Sequence, residues 1–242
     1  MRVPLLFIPG MMCDRRLFGP QIAHLDDVAE MVVANIGRHR SIEEIASALL
    51  VEVPFDRFSI CGLSMGGIVA MEMIRQSPQR IMSAALLDTT PLADAAGRDA
   101  VRDRQVAEAR KGGLQRVFVE EMLPFYLGSL NEKDESLRRS LEEMAMDLGV
   151  DVFENQSVAL RDRRNSEDAL RSYRGRVLVL CGEEDALCPI DRHRMIVGAC
   201  NFSELVTLPG IGHISTLEAP DLVNAQLRRW LSTTAQTERD CK

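Results

Sequence analysis

Residues 58–76 read FSICGLSMGGIVAMEMIRQ. Phe58 to Cys61 is a short apolar run of strand type. It passes into Gly62-Leu63-Ser64-Met65-Gly66-Gly67, and Ile68 to Gln76 then carries apolar residues at helical spacing until Pro78 forbids continuation. Gly62 to Gly66 fits G-x-S-x-G. By composition alone that pattern occurs by chance in about one chain in twelve of this length. Its setting is more telling: a strand, a sharp turn and a helix place a serine hydroxyl above a sheet edge. The positions two before and two after the serine must be small, because strand and helix approach closely there. The helix N-terminus adds free N–H groups and a positive dipole end. Ser64 is therefore the candidate nucleophile, and the Met65 amide a candidate oxyanion donor. The plainer alternative is a glycine-rich loop with a passive serine.

Outward from this stretch, β-branched runs alternate with helical patterns, the signature of a parallel sheet covered by helices. Strands are expected at Val3 to Ile8, Val28 to Ala34, Phe58 to Cys61, Ala84 to Leu87, Arg176 to Cys181 and Glu204 to Leu208. Helices are expected over Leu17 to Leu25, from the Ser41 capping box to Val51, over Ile68 to Gln76 and from Pro220 to Trp230. The polar tail after Ser232 is expected to fray. Between Asp88 and Gly175 no strand appears. Asp94 to Arg110, Leu114 to Met122, Glu135 to Leu148 and Val152 to Arg161 read as an inserted helical block.

A serine hydroxyl needs a base, and the chain has four histidines. His24 and His39 precede Ser64. His193, between Arg192 and Arg194, is expected on an exposed helix face. His213, in Gly210-Ile211-Gly212-His213 directly after the sixth strand, is the candidate base. The base needs an orienting carboxylate. Asp185, in Gly182-Glu183-Glu184-Asp185 after the fifth strand, is the candidate, and Asp88 after the fourth strand is its rival. Glu183 and Glu184 read as exposed loop charges. Ser64, Asp185 and His213 all follow strands, on the carboxyl edge where open parallel sheets bind ligands. A second oxyanion donor would come from Pro9-Gly10-Met11-Met12 after the first strand, with Met11 the candidate.

Composition bounds the rest. The chain has 242 residues and net charge −7, with no basic stripe, so nucleic acid is not an expected partner. No run approaches a membrane span, and no Cys/His cluster has zinc-ligand spacing. The six cysteines are scattered, with Cys61 and Cys181 in apolar runs, as in a reducing compartment. A cytoplasmic protein, monomer or homodimer, is expected. Met1 to Ile8 is too short for a signal peptide and reads as the first strand.

The stretches 5–13 (LLFIPGMMC), 61–67 (CGLSMGG), 177–189 (VLVLCGEEDALCP) and 208–220 (LPGIGHISTLEAP) resemble the α/β-hydrolase family, most of all small carboxylesterases and enol-lactone hydrolases. The resemblance implies an α/β-hydrolase fold of about six strands, starting at the strand usually numbered third. It implies the triad Ser64–Asp185–His213, a core of 1–88 with 175–242, and a helical cap over 89–174. It implies no metal or cofactor. The oxyanion loop has Pro9-Gly10 where the family usually has His-Gly. The expected substrate is a small or medium, largely apolar ester. Lactones, enol-lactones and thioesters are alternatives, and so is a catalytically weak binding protein. Met12, Leu92, Leu187 and Ile214 adjoin the catalytic loops and are candidate substrate contacts. Phe118, Met122, Leu123, Phe125 and Tyr126 form a cluster that either faces the site or packs helix to helix; Phe118, Met122 and Phe125 are taken as contacts. No basic residue stands out to meet a substrate carboxylate, Arg15 or Arg16 being the candidates, and this weighs against the enol-lactone alternative.

Overall fold

The computed structural model describes residues 2–240, with side chains described through residue 237. Six strands form one all-parallel sheet: β1 (Val3–Ile8), β2 (Ala29–Val33), β3 (Phe58–Leu63), β4 (Ile81–Leu87), β5 (Arg176–Gly182) and β6 (Ser203–Leu208). Their order is β2-β1-β3-β4-β5-β6. The helices are α1 (Gly19–Leu25), α2 (Ile42–Glu52), α3 (Met65–Gln76), α4 (Arg98–Glu108), α5 (Leu114–Arg116), α6 (Glu135–Arg161), α7 (Glu167–Ser172), α8 (Ile190–Ala199), α9 (Ser215–Glu218) and α10 (Pro220–Asp240).

Strand alternation builds two cores. Leu5, Phe7, Cys61, Leu63, Ala85, Leu87, Leu178 and Leu180 face one side, against α1, α10 and the inserted helices. Leu6, Ile8, Phe58, Ile60, Ala84, Leu86, Val177 and Val179 face the other, against α2, α3 and α8. Strands buried on both faces read as continuous apolar runs, as β1, β3, β4 and β5 do. The chain leaves β1 toward β2 and returns to β3 on the other side. The crevice at the carboxyl ends of β1 and β3 is thus a topological switch point.

The insertion between β4 and β5 is helical among the described residues. Its segment Ala109–Met122 is partly wound as a wider π-type helix around Gly112, whose φ is +93°. The two helices expected around residue 150 meet end to end in α6, broken by Gly149 at φ 79° and ψ 178°. The tail departs from expectation. α10 runs to Asp240 instead of fraying after Ser232, and buried Thr234 Oγ1 lies 2.8 Å from Ser83 Oγ on β4. Local polarity hides that pairing, which fixes an otherwise hydrophilic turn. No helix among the described residues is long and apolar enough to cross a membrane. Cys13, Cys61, Cys181 and Cys188 are buried free thiols, and Cys200 is a half-buried one.

Candidate active site

β3 ends in a tight elbow. Ser64 has φ 55° and ψ −117°, a backbone that L-residues rarely adopt. Four bonds hold its backbone, the longest from the Ile68 N–H to the Ser64 carbonyl at 3.2 Å. The Ser64 N–H donates to the Leu87 carbonyl at 2.9 Å. The Thr89 hydroxyl donates to the Ser64 carbonyl at 2.7 Å, and the Gly67 N–H to the same oxygen at 2.9 Å. The two glycines of the motif allow the close approach. A Cβ on Gly62 would overlap the backbone of Gly66 and Gly67, and one on Gly66 would overlap the Ile8 and Pro9 carbonyls.

The loop after β6 brings His213 over the elbow. His213 Nε2 lies 2.8 Å from Ser64 Oγ, and His213 Nδ1 lies 2.8 Å from Asp185 Oδ2. Asp185 Oδ1 accepts the amides of Leu187 and Cys188 at 2.9 and 2.8 Å. Both carboxylate oxygens are thus committed, and the imidazole is turned to offer Nε2 to the serine. Burial works against a charged His213. The Asp185 carboxylate, aided by Asp88 and Glu218, outweighs it and lifts the imidazole above its ordinary pKa. Burial would raise Asp185, but the His213 charge and the two amides hold its carboxyl below the usual range.

Asp185, Cys188 and His213 place one potential ligand atom each within 4.8 Å of one another. The donor set does not suit a cation. The Asp185 oxygens are already filled by N–H donors, and burial among Asp185 and Asp88 pushes the Cys188 thiol far up, keeping it protonated.

Asp88 is fully buried with φ 45° and does not reach His213 directly. It accepts the Gly182 amide at 3.0 Å, the Ser215 amide at 3.3 Å and the Ser215 hydroxyl. It ties the β5 end to the His213 loop, and burial next to Asp185 raises its pKa well above the usual value. Glu218 was not legible as a site residue. Its buried carboxylate accepts the amides of Gly128, Gly212 and Ile214 and so shapes the loop around His213. Its signal in the sequence is a lone carboxylate in a largely uncharged run before Pro220.

His193 corrects the sequence reading. α8 turns it inward and it is fully buried. Its Nε2 accepts the Thr89 amide at 3.0 Å, and burial pushes its pKa down to about 4. The flanking arginines point outward while the imidazole backs the residue that holds Ser64. Glu184 is exposed as expected but binds the Ser129 amide and hydroxyl, and exposed Glu183 accepts from Thr207.

Gly10 packs against the elbow: a Cβ there would sit 3.5 Å from the Ser64 Cβ. The next residue, Met11, is half-buried, and no acceptor meets its N–H among the described residues. Met65 opens α3, so its N–H has no intrahelical partner. Of the candidate contacts, Met12, Phe118 and Ile214 are enclosed in one core cluster, with Met122 partly buried against it. Leu92 is half-buried, Leu187 and Phe125 are exposed, and none of the three joins that cluster. Tyr126 leans its ring on His213 with centroids 5.9 Å apart, and its carbonyl accepts the His213 amide at 2.8 Å. Arg16 is committed to Asp14 and Asp147. Exposed Arg15 borders a cleft of about 450 Å³ between the β1 and β2 loops and α6.

The fold has known counterparts. An esterase from Thermogutta terrifontis superposes with a TM-score of 0.87 at 23% identity, covering 96% of this chain and 90% of its own. The enol-lactonase from Burkholderia xenovorans LB400 gives 0.85 at 18% identity, covering 96% and 92%. In sequence, the chain is 26% identical over 238 residues to the dihydrolipoyllysine-residue acetyltransferase component of the acetoin cleaving system of Pseudomonas putida. That match takes in 92% of this chain, which spans only 58% of the relative's length. The model of the alpha/beta hydrolase family matches residues 8–226. This chain belongs to the alpha/beta hydrolase family.

Proposed function

We propose that the chain is a serine hydrolase that cleaves a small or medium, largely apolar carboxylic ester through an acyl-enzyme on Ser64. The observation that carries the reading is the unbroken path from Ser64 Oγ through His213 to Asp185, each step 2.8 Å. His213 Nε2 takes the hydroxyl proton as Oγ attacks the ester carbonyl. Asp185 keeps the other proton on Nδ1 and steadies the imidazolium. The Met11 and Met65 amides receive the oxyanion, each worth about 3 kcal/mol in the transition state. Collapse expels the alcohol, protonated by His213. Water then gives a proton to His213 and attacks the acyl carbon, releasing the acid and restoring Ser64. Each step is proton transfer and acyl transfer, which these residues supply themselves.

In this reading residues 89–174 cap a core of 1–88 and 175–242. Met12, Phe118, Met122 and Ile214 form the floor of the acyl pocket, and Leu92, Leu187 and Phe125 its mouth. The enzyme works in the cytoplasm, where buried free thiols stay reduced, as a monomer or homodimer.

One observation favours a second reading, a lactone or enol-lactone bearing a carboxylate. Behind Leu92, whose carbonyl accepts Arg163 Nε, the guanidinium groups of Arg102 and Arg163 share the single carboxylate of Asp94. That leaves one buried positive charge over, and an anionic substrate would balance it.

The test is labelling with a fluorophosphonate probe together with hydrolysis of p-nitrophenyl esters of graded length, lactones and thioesters. Wild type should be labelled and Ser64→Ala should not, with the fold unchanged by circular dichroism. Unlabelled wild type would leave a binding protein on this fold.

A further inference from the structure

The turn that follows β1 carries a backbone conformation its own sequence does not favour. The Cys13 N–H donates to the Gly10 carbonyl at 3.2 Å, closing a four-residue turn over Gly10 to Cys13. Met12, its third residue, has φ 55°. Positive φ at that position is what a type II turn demands, and glycine or asparagine normally supplies it. A methionine there prefers the type I turn, which differs by rotation of the central Met11–Met12 peptide through about 180°.

The direction of that peptide is set from far away in the chain. The Met12 N–H, the donor of the central peptide, gives its hydrogen bond to Gln156 Oε1 on α6 at 2.8 Å, and Gln156 is 1% exposed. An amide N–H can only meet the carbonyl end of the glutamine, so the assignment of Oε1 follows from the bond itself. This half of α6, beyond the break at Gly149, is seated on the core. Glu154 pairs with Arg40 at 2.9 Å, and Asn155 Nδ2 donates to the Gly37 carbonyl at 3.0 Å. Three successive residues therefore hold the loops after β1 and β2.

We propose that Gln156 is a positioning residue for the oxyanion turn. By taking the Met12 N–H it holds the type II geometry. The neighbouring Met11 N–H is left unpartnered beside Ser64, in a fixed direction before substrate arrives. The inference rests on the hydrolase reading above. The Met11 N–H belongs to the preceding Gly10–Met11 peptide and does not turn over with the central one. Without the acceptor the turn as a whole is no longer pinned at its centre, and the Met11 donor loses its fixed aim through that added freedom, while the substrate pocket stays in place. Donors of this kind act because they are aligned in advance.

The experiment compares Gln156→Met, which keeps length and loses the acceptor, with Gln156→Glu, which keeps a carboxyl oxygen at the same place. Expected for Gln156→Met is a fall in kcat of about 10- to 100-fold with KM changed less than about threefold, and equally slowed fluorophosphonate labelling. Gln156→Glu should recover most of that loss. A Gln156→Met enzyme with kcat within twofold of wild type would overturn the proposal, as would equal losses in both variants. A measurement on wild type needs no variant to fold. With 15N-methionine labelling, the Met12 amide should exchange with solvent orders of magnitude more slowly than that of Met11. Equal, fast exchange of the two would also overturn it. If wild type is labelled by the probe and Gln156→Met is unaffected, only this proposal falls. If wild type is not labelled at all, the hydrolase reading falls, and the exchange measurement still decides whether Gln156 holds the turn.

Discussion

Gly66 presses so closely on Ile8 that a Cβ on the glycine would overlap the Ile8 carbonyl oxygen. This contact joins the first turn of α3 to the end of β1, and so sets Ser64 beside the Met11 turn. Backbone atoms on both sides leave no flexible group to yield. Gly66→Ala should cost about 3 kcal/mol of stability, read as a shift of the urea unfolding midpoint. Ser64→Ala, which changes no contact of this kind, should unfold like wild type. An unshifted Gly66→Ala would mean that the elbow and the β1 loop are not packed in this way.

Asp185 and Asp88 offer a direct contrast. Asp185 holds His213 Nδ1, whereas Asp88 holds Gly182 and Ser215. If Asp185 fixes the tautomer that presents Nε2 to Ser64, Asp185→Asn should lower kcat by about 10⁴-fold. Asp88→Asn should lose far less activity, its effect falling on stability through the β5 end and the His213 loop. The reverse ranking in steady-state kinetics would assign the acid to Asp88.

The pH profile follows from the same carboxylates. Only neutral His213 can take the Ser64 proton, and its pKa is raised because the burial penalty is outweighed by Asp185, Asp88 and Glu218. Activity should therefore be lost as pH falls through a value above the ordinary imidazole value of about 6.5. A profile of kcat/KM against pH tests this. An acid limb centred well below 6.5 would show that some other group limits the reaction.

Much of this was legible in the chain. Leu5 and Phe7 against Leu6 and Ile8, two alternating apolar sets, announce a strand buried on both faces. Ser64, Asp185 and His213 each stand within a few residues of a strand end, so local pattern alone brings them to one sheet edge. Gln156 and Thr234 were illegible for the opposite reason. Their partners, Met12 and Ser83, lie 144 and 151 residues away. A polar side chain in a helical pattern reads as solvated until its long-range acceptor or donor is known. His193 misled in the same way. Two flanking arginines advertise an exposed face, but one turn of helix carries a residue inward between two outward neighbours.

That buried histidine has a consequence for acid stability. In the fold His193 titrates at about 4, because burial disfavours its charged form, while Asp185 pulls the other way and His213 adds to the shift. In the unfolded chain it titrates near 6.5. Between those values the unfolded state binds the extra proton, so stability rises with pH across this window. The stabilisation is fully present above about 6.5, declines as pH falls, and is lost below about 4. Over the whole window it amounts to about 3 kcal/mol. His193→Gln keeps an acceptor for the Thr89 amide and removes the titration. Its urea midpoint should depend less steeply on pH between 4 and 6.5 than that of wild type, while both keep the activity limb set by His213. Equal slopes would mean that His193 is protonated in the folded protein, and that the Thr89 bond behind Ser64 is not what the buried imidazole provides.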